Sequence, residues 1–341
     1  MMSRSLEDDV FYTCGIMSGG GGVDLSIDRK IRVCCYTRDE SGTIADIPDR
    51  IDNYCELINK IKNKNNEIIE YFQQGKIHPA CLGCFYLTNT SQKPKKIDKL
   101  KMNTISLNYY QACNLNCIFC HKVSKKYNQT KHEEADHKNI LNLIKQIVEH
   151  SNISDNVIFG IGGGEPSISV EMVEIVEYLL ENDLHVNLNT NAARYVEAFA
   201  DGAMKGLINL YISIDAGSEE IFKKIKRADG FENAWNNIGK YMQKTNDNVR
   251  IKFILLPENV DDIDNMVEKC KEYNVRTVLI DLLSPKTDAD TIKQENSVFI
   301  EHVQALRHKL QSIGVNVEKG YFMPDDVFTQ GEMEKNMFTS I

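Results

Sequence analysis

Residues 112–120 read Ala112-Cys113-Asn114-Leu115-Asn116-Cys117-Ile118-Phe119-Cys120, with three and then two residues between successive cysteines. Three thiolates at this spacing can bind one face of a cuboid iron–sulfur cluster. The fourth iron then has no protein ligand nearby, because the next cysteine along the chain is Cys270. Such an open coordination position lets a metal site bind a substrate or cofactor directly. A structural zinc site with His121 as its fourth ligand is the alternative for this segment.

The composition is that of a globular protein without a signal for export or for nucleic-acid binding. Of 341 residues, 42% are hydrophobic and 26% are charged, and the formal net charge is −9. This acidic balance disfavours a nucleic-acid partner, whose phosphates attract a basic surface. We find neither an apolar run long enough to cross a bilayer nor the apolar core of a secretory signal. We therefore expect a cytoplasmic protein whose ten cysteines are metal ligands or buried thiols.

From residue 103 onward, short β-rich runs alternate with longer amphipathic runs. Alternation of this kind predicts parallel strands that are joined by right-handed helical crossovers. Six strand–helix units are too few for a complete barrel, so we predict an α/β fold with a partial (βα)6 TIM-like barrel. The predicted strands are 104–110, 156–161, 184–190, 207–214, 250–256 and 276–282. The predicted helices are 133–150, 169–182, 194–204, 218–226, 231–245, 261–274 and 295–313.

The first hundred residues have a different pattern. They contain a glycine run, a predicted hairpin around Asp28-Arg29-Lys30 and a helical stretch near 50–74. We predict a small cysteine-rich α+β module over residues 1–92 and a lysine-rich linker over 93–102. The barrel then covers 103–290, and a C-terminal helix and tail cover 291–341.

The C-x3-C-x2-C run, with the aromatic Phe119 before its last cysteine, resembles the signature of the radical S-adenosylmethionine (radical SAM) enzymes. The resemblance implies that Cys113, Cys117 and Cys120 bind a 4Fe–4S cluster whose open iron is chelated by SAM. In that family the reduced cluster cleaves SAM to methionine and a 5′-deoxyadenosyl radical, which abstracts hydrogen from a substrate. The family also shares the partial barrel fold.

The segment Gly163-Gly164-Glu165 follows the second predicted strand. It resembles the family motif that binds the amino group of SAM. Glycines let the backbone approach a ligand closely, and a carboxylate can accept hydrogen bonds from an ammonium group.

Polar side chains on strands three and four are further candidate SAM contacts. Ser213 and Asp215 share one face of strand four, where the family binds the ribose of SAM; a core serine and a helix-capping aspartate are the alternative. Asn189 lies on the polar face of strand three, which predicts a ligand cavity because buried amides need partners. The basic residue that the family often places near the SAM carboxylate is either Lys226 or Arg227.

The N-terminal cysteines resemble the start of a SPASM/twitch-like auxiliary iron–sulfur module. The resemblance implies that its ligands are Cys14, Cys34, Cys81 and Cys84. Cys35 is an alternative to Cys34, although strand alternation places Cys35 on a buried face with Ile31 and Val33. In relatives this module usually follows the barrel and holds more cysteines, so a zinc site is the alternative. Helical periodicity places the remaining thiols, Cys55 and Cys270, on apolar faces, and we expect both in the core.

Together these features predict a radical SAM enzyme that acts on a sugar, amino acid or peptide, with the auxiliary cluster assisting oxidation or substrate binding. Its partners are expected to be a small-molecule or peptide substrate and an external electron donor such as flavodoxin or ferredoxin. A glycyl-radical-enzyme activase that acts on a protein partner is one alternative. A non-catalytic metal-binding interaction protein is another.

Overall fold

The computed structural model describes residues 10–26, 28–37, 40–47, 53–84, 86–120, 133–245, 247–283, 291–320, 322–323 and 328. For residues 133–136 and 291–298 the description is limited to the helical backbone. His121, residues 1–9 of the predicted N-terminal module and the tail after residue 328 lie outside the described residues.

The helices and strands alternate along most of the chain. The first part contains β1 (Phe11–Thr13), α1 (Gly15–Ser18), β2 (Gly22–Leu25), β3 (Lys30–Arg32), β4 (Thr43–Asp46), α2 (Tyr54–Gln73), β5 (Thr88–Thr90), β6 (Met102–Leu107), α3 (Glu133–Glu149) and β7 (Ile153–Ile161). The second part contains α4 (Val170–Glu181), β8 (His185–Thr190), α5 (Glu197–Met204), β9 (Ile208–Ser213), α6 (Glu219–Lys226), α7 (Phe231–Lys244), β10 (Val249–Ile254), α8 (Ile263–Glu272), β11 (Thr277–Asp281), α9 (Thr291–Ser312) and β12 (Asn316–Lys319).

Every strand and helix predicted from residue 103 onward is present, with ends within four residues of the predicted ones. The physical reason is periodicity that repeats over each segment. In α4, Met172, Ile175, Val176 and Leu179 are buried at the spacing of one helix face. In β9 alternate residues are buried, so that Leu210 and Ile212 face the core. Among the described helices, none is long and apolar enough to cross a membrane.

Contacts between residues divide the chain into two compact units. Unit 1 comprises residues 1–111, 129–164 and 181–186, and unit 2 comprises residues 112–128, 165–180 and 187–341. The predicted boundaries near residues 92 and 103 stay a prediction, although residues on both sides of them belong to unit 1.

Unit 1 contains a mixed sheet with the strand order β7-β6-β2-β3-β4. Both β2 and β7 pair with β6 in parallel, whereas β3 pairs antiparallel with β2 and with β4. The predicted hairpin is confirmed: Arg29 has a φ of 61°, and Ser26 and Lys30 are joined by a backbone hydrogen bond. Sequence reasoning missed the pairing of β2 with β6, because a four-residue strand beside a glycine run has almost no periodicity to detect. A second, two-stranded antiparallel sheet consists of β1 and β5.

Unit 2 contains the strands β8-β9-β10-β11-β12 in that spatial order. The pairs β9–β10, β10–β11 and β11–β12 are parallel, as the strand–helix alternation predicts. The predicted α/β class is therefore confirmed. The strand β12 was not predicted, because Asn316–Lys319 is short and none of its residues is fully buried.

Two thiols that were predicted to be buried are exposed. The strand β3 ends at Arg32, and a turn closed by a hydrogen bond from the Thr37 N–H to the Cys34 carbonyl follows, so the alternation does not continue to Cys35. The buried face of α2 begins at Leu57. Cys55 lies on a different side of this helix and is therefore exposed. The third prediction, a core position for Cys270, is confirmed.

Candidate active site

The three-cysteine loop follows β6 and is attached to the end of α6. The backbone N–H of Asn116 donates to the Lys226 carbonyl at 3.0 Å, and that of Ile118 donates to the Ile225 carbonyl at 2.9 Å. A further bond from the Cys120 N–H to the Cys117 carbonyl, 3.0 Å long, closes a turn between the last two cysteines. These bonds hold the loop while its side chains stay accessible: Cys113 is exposed, and Cys117 and Cys120 are partly buried.

An apolar cluster lies under the loop. Its buried members are Ile225, Ile254 and Leu256, and the side chains of Ile118 and Phe119 pack against them. The aromatic residue of the motif therefore anchors the loop to α6 and to the end of β10. The Lys226 ammonium also lies over the Phe119 ring, 5.5 Å from its centroid, at the distance of a cation–π contact.

Lys226 forms a buried ion pair with Asp215. The lysine is 2% exposed and the aspartate 0%. Burial opposes the lysine charge, but the Asp215 carboxylate and nearby Cys117 outweigh it and raise the pKa of Lys226. Asp215 also accepts a hydrogen bond from the Ile254 backbone N–H at 2.7 Å. Asp215 is therefore not a helix cap. Of the two basic residues that could lie near the SAM carboxylate, Lys226 points into the protein, whereas Arg227 ends α6 with a φ of 52°.

The environment of Cys117 favours a neutral thiol in the metal-free protein. Burial raises the pKa of the Cys117 thiol to about 11, and the positive charge of Lys226 acts in the opposite direction. A metal ion or cluster binds the thiolate, so occupation by metal would reverse this preference.

The carboxylate of Glu165 is buried and directed at protein groups. Its Oε1 accepts hydrogen bonds from the Ser167 N–H at 3.0 Å and the Thr190 hydroxyl at 2.5 Å. Its Oε2 accepts one from the Asn191 N–H at 2.6 Å. Burial raises the pKa of Glu165, and these donors partly offset that effect. The sequence predicts that this carboxylate accepts a hydrogen bond from the ammonium group of SAM. In the structure the carboxylate already accepts hydrogen bonds from three protein donors.

Asn191 is a residue that sequence reasoning did not single out. Its Nδ2 donates to the Asn114 side chain at 2.9 Å and lies 3.8 Å from the Cys113 Sγ. Asn191 and Asn114 line a small pocket together with Leu115, Ala193, Phe222, Asp229, Gly230, Asn233 and Ala234. Asn191 is the last in the row of polar residues on the third predicted strand, β8. Its position directly after that strand is the feature of the sequence that could have identified it as a site residue.

Gly163 is required where it is, because its φ is +91° and an added Cβ would lie 2.7 Å from the Tyr110 carbonyl oxygen. The next residue, Gly164, donates its N–H to that same carbonyl at 2.8 Å. The glycines therefore allow close approach of two backbone segments within unit 1, whereas their predicted close approach to a ligand stays a prediction.

The polar faces of the unit 2 strands form a hydrogen-bonded row. Asn209 donates to Asn187 at 3.0 Å and accepts from Arg250 at 3.4 Å, and Arg250 pairs with Glu318 at 2.8 Å. This row contrasts with the branched apolar residues that fill ordinary barrels.

The other predicted residues on these strands keep the expected parity. Ser213 is partly buried on the same face of β9, and Asn189 is exposed on β8. Lys252 on β10 approaches Asp281 at 3.7 Å. Ser213 and Asn189 are thus accessible, and their predicted place in a ligand cavity stays a prediction.

The four predicted auxiliary cysteines lie around one pocket of unit 1. Its thiols are Cys14, Cys34, Cys35, Cys81 and Cys84, and its other lining residues are Ile16, Met17, Val33, Tyr36, Ala80, Tyr86 and Leu87. Two contacts attach the Cys34–Cys35 turn to the segment that carries the C-x2-C pair: the Tyr36 hydroxyl donates to the Gly83 carbonyl at 3.0 Å and the Thr37 hydroxyl to the Ala80 carbonyl at 3.2 Å. Residues far apart in sequence are thus brought together by the hairpin and the end of α2.

Two thiols of this pocket, those of Cys14 and Cys35, have a raised pKa. Burial raises the pKa of Cys14, and the nearby Cys34 and Cys84 add to the effect. Part of the Cys35 side chain reaches solvent. Burial of the thiol by the surrounding protein, and to a smaller extent the negative charge of Asp24, nevertheless raise its pKa to about 12. Cys34 and Cys35 both line the pocket, so the choice between them stays open.

The donor set of the active-site loop fits an iron–sulfur cluster. Three free thiols lie within eight residues. A cationic side chain and an amide N–H donor lie beside them, and such groups favour the thiolate form that binds a cluster. In the part of the chain that the structure describes, no three His, Cys, Asp or Glu side chains converge on a single metal ion. A cuboid cluster does not need such convergence, because each thiolate binds a different iron.

Comparison with known proteins identifies a family domain in the same region. Residues 107–270 match the model of the radical SAM superfamily. A probable GTP 3′,8-cyclase of Thermococcus kodakarensis is 24% identical over 66% of this chain and 73% of its own length. The mycofactocin maturase MftC of Mycolicibacterium smegmatis is 24% identical over 64% of this chain but only 48% of its own length.

Solved structures share the fold at low sequence identity. Streptococcus suis SuiB bound to S-adenosylmethionine aligns with a TM-score of 0.52 and 12% identity, over 80% of this chain and 57% of SuiB. The enzyme anSMEcpe with bound AdoMet aligns with a TM-score of 0.50 and 15% identity, over 69% of this chain and 66% of that protein. Residues 107–270, which contain the three-cysteine loop, are therefore similar to the radical SAM superfamily.

Proposed function

We propose that this protein cleaves SAM at a 4Fe–4S cluster held by Cys113, Cys117 and Cys120, and that it modifies a sugar, amino acid or peptide by hydrogen abstraction. When bound, the cluster and SAM supply the chemistry: one electron breaks the sulfonium bond, methionine leaves, and the 5′-deoxyadenosyl radical takes a hydrogen atom from a substrate C–H bond. The observation that carries the proposal is the three-cysteine loop, directly after β6 and inside the matched family domain.

The protein's own residues hold and shield the loop. Phe119 and the apolar cluster of Ile225, Ile254 and Leu256 exclude water from one side of it. The Lys226–Asp215 pair fixes the end of α6, to which the loop backbone is bonded. An ordered loop keeps the three thiols at the spacing that a cluster needs.

The predicted SAM-binding residues divide into two groups by their partners. The carboxylates of Glu165 and Asp215 are engaged by protein donors, so we assign them to holding the loops that surround the site. Ser213 and Asn189 are kept as proposed SAM contacts because both are accessible on the polar faces of β9 and β8. The role of the Gly163 and Gly164 backbone in binding the SAM amino group stays a prediction from the motif. This assignment keeps the predicted residue set and changes the role of its two carboxylates.

The substrate is assigned to the polar strand faces, which offer amide, guanidinium and hydroxyl groups on neighbouring strands. Polar groups that converge on a cavity fix the orientation of a polar substrate. The relatives are named as a GTP cyclase and a maturase, so the family domain serves more than one substrate class. An external donor such as flavodoxin or ferredoxin supplies the electron.

The N-terminal pocket is assigned an auxiliary iron–sulfur cluster bound by Cys14, Cys34, Cys81 and Cys84. Support comes from the five thiols around one pocket and from the two hydrogen bonds that join its segments. Such a cluster would accept an electron from the product radical or bind the substrate.

Anaerobic reconstitution tests the proposal, with iron counted and 5′-deoxyadenosine measured after reduction with dithionite in the presence of SAM. Two clusters predict about eight irons per chain, and a double Cys81→Ala, Cys84→Ala variant predicts about four. Cys55→Ala is the matched control, because Cys55 is an exposed thiol outside both cysteine groups. We expect it to keep the wild-type iron content and SAM cleavage.

The outcomes separate the alternatives. Well-loaded protein that forms no 5′-deoxyadenosine would reject an enzyme of this class and favour a metal-binding interaction protein. SAM cleavage that depends on a partner enzyme with a glycine target would favour an activase. Zinc in the N-terminal pocket would reject the auxiliary cluster alone.

A further inference from the structure

We propose that the Asn191 side chain donates a hydrogen bond to the Cys113 sulfur and so raises the reduction potential of the active-site cluster, with Glu165 as the positioning residue that holds Asn191 in place. The inference rests on the proposed function, in that Cys113 is a cluster ligand. It concerns two residues that surround the loop and do not themselves bind iron.

The contact between Asn191 and Cys113 has the geometry of an N–H···S hydrogen bond. The Asn191 Nδ2 lies 3.8 Å from the Cys113 Sγ, and hydrogen bonds to sulfur are longer than those to oxygen because sulfur is larger. The same nitrogen donates to the Asn114 Oδ1 at 2.9 Å. An amide nitrogen carries two protons, so it can serve both acceptors at once.

The orientation of the amide group follows from its other partner. The Asn191 Oδ1 accepts a hydrogen bond from the Ala193 backbone N–H at 2.8 Å. An N–H group needs an oxygen as its partner, so the amide oxygen must face Ala193 and the amide nitrogen must face Cys113. Asn191 is 8% exposed, so water competes little for these bonds.

Glu165 fixes the backbone from which this side chain projects. Its Oε2 accepts the Asn191 N–H at 2.6 Å, while its Oε1 holds the preceding residue, Thr190, through the hydroxyl. A buried carboxylate with three protein donors is therefore suited to hold this segment rigid beside the loop.

The effect on the cluster follows from charge. Reduction adds negative charge to the cluster, and a hydrogen-bond donor aimed at a ligating sulfur stabilises that charge. Removing the donor should make reduction harder and move the potential to a more negative value. Removing Glu165 would take away part of this support but would also remove a buried carboxylate, and these two changes act on the potential in opposite directions. A substitution that weakens the support without changing a charge is therefore the better second test.

The test is a redox titration of the reconstituted cluster, followed by electron paramagnetic resonance. It is made in the Cys81→Ala, Cys84→Ala background, so that the active-site cluster alone contributes to the signal. Asn191→Ala removes the donor, and Asn191→Asp removes it while keeping the shape of the side chain. Both are expected to have a more negative potential than the parent, and Asp more so because it adds a negative charge.

Asn233→Ala is the matched control. Asn233 lines the same pocket and donates its side-chain N–H to the Ala193 carbonyl at 2.8 Å. Its loss should leave the cluster potential unchanged. Thr190→Val is the second test variant, because it removes the hydrogen bond from the Thr190 hydroxyl to Glu165 without changing a charge. It is expected to shift the potential in the same direction as the Asn191 variants by a smaller amount.

Potentials of the Asn191 variants that equal that of Asn233→Ala would overturn the inference. If the Asn191 variants take up no iron, an unchanged potential in Thr190→Val would overturn the inference in their place. A parent protein that holds a cluster but cleaves no SAM would overturn the proposed function alone, because the titration needs only the cluster. A parent that holds no 4Fe–4S cluster would overturn both.

Discussion

The Lys226 ammonium and the Asp215 carboxylate form an ion pair in which both partners are buried, directly behind the loop that carries Cys117. The pair joins the segment after β9 to the last residue of α6. Asp215 also accepts a hydrogen bond from the Ile254 N–H, and the Lys226 carbonyl accepts one from the Asn116 N–H. The ion pair and these two hydrogen bonds together connect two strand ends, a helix end and the cysteine loop.

Asp215→Ala should lower the free energy of unfolding by about 3–5 kcal/mol, because it leaves a buried lysine without a partner. Urea denaturation followed by circular dichroism measures this loss. Lys223→Ala is the control: its ion pair with Glu219 is exposed on both sides, so its removal should change the stability little. Equal losses in the two variants would contradict a special role for the buried pair.

Cys117→Ala should prevent assembly of the active-site cluster, because a three-thiolate site that loses one ligand no longer holds its cuboid. Iron content and the visible absorbance of the cluster measure this effect. The auxiliary pocket should keep about four irons. Full iron content in Cys117→Ala would show that the ligand assignment is wrong.

Cys55 and Cys270 should differ in their reactivity toward iodoacetamide in the metal-free native protein. Cys55 is exposed, whereas Cys270 is buried in α8, and burial raises the pKa of the Cys270 thiol to about 12. We expect Cys55 to react faster by about ten-fold or more, since the thiolate is the nucleophile and must be accessible. Peptide mass spectrometry gives both rates, and equal rates would contradict the burial of the Cys270 side chain in α8.

The Asp28–Arg32 pair should contribute a pH-dependent stability on the acid side. Hydrogen bonds from the Arg32 guanidinium, 2.6 Å from each Asp28 oxygen, lower the pKa of Asp28. Because its pKa in the folded state is below the unfolded value of about 3.9, this stability is fully present above that value. It is lost as the pH falls through the folded pKa.

Thermal unfolding of the wild type and of Asp28→Asn between pH 7 and pH 2 checks this prediction. The variant should be less stable by about 1–3 kcal/mol at pH 7, because Arg32 is buried and loses its partner. The difference should shrink toward pH 2. A difference that is constant with pH would contradict the assigned cause.

Gly163→Ala should destabilise the protein by about 1–3 kcal/mol, because the residue has positive φ and its Cβ would meet the Tyr110 carbonyl. Gly15→Ala is the control, since no atom lies within 4 Å of its added Cβ and no positive φ strains it. Equal melting temperatures of the two variants would contradict the close approach at Gly163.

Several features could be predicted because their signals are local. The alternation in β9 and the helical spacing in α4 repeat within each element, so their type and approximate ends follow from the sequence. The C-x3-C-x2-C spacing of the cysteine loop is likewise complete within nine residues. The hairpin at Arg29 was predictable because its turn depends on neighbouring residues.

Other features could not be predicted because they depend on which distant residues meet. The exposure of Cys35 follows from where β3 ends, and the exposure of Cys55 follows from the face that α2 turns to its neighbours. Glu165 was predicted to bind a ligand, but its partners Thr190 and Asn191 are about 25 positions away in the chain.

The amino-acid sequence alone therefore determined the order of strands and helices, the place of the cysteine loop after the first barrel strand and the family that the loop indicates. Periodicity and short motifs carry this information because they arise from interactions between near neighbours in the chain. Only the tertiary structure decided that Lys226 pairs with Asp215, that Asn191 faces Cys113 and that β2 pairs with β6. Those outcomes depend on burial and on competition among distant hydrogen-bonding partners, which the linear order of residues does not specify.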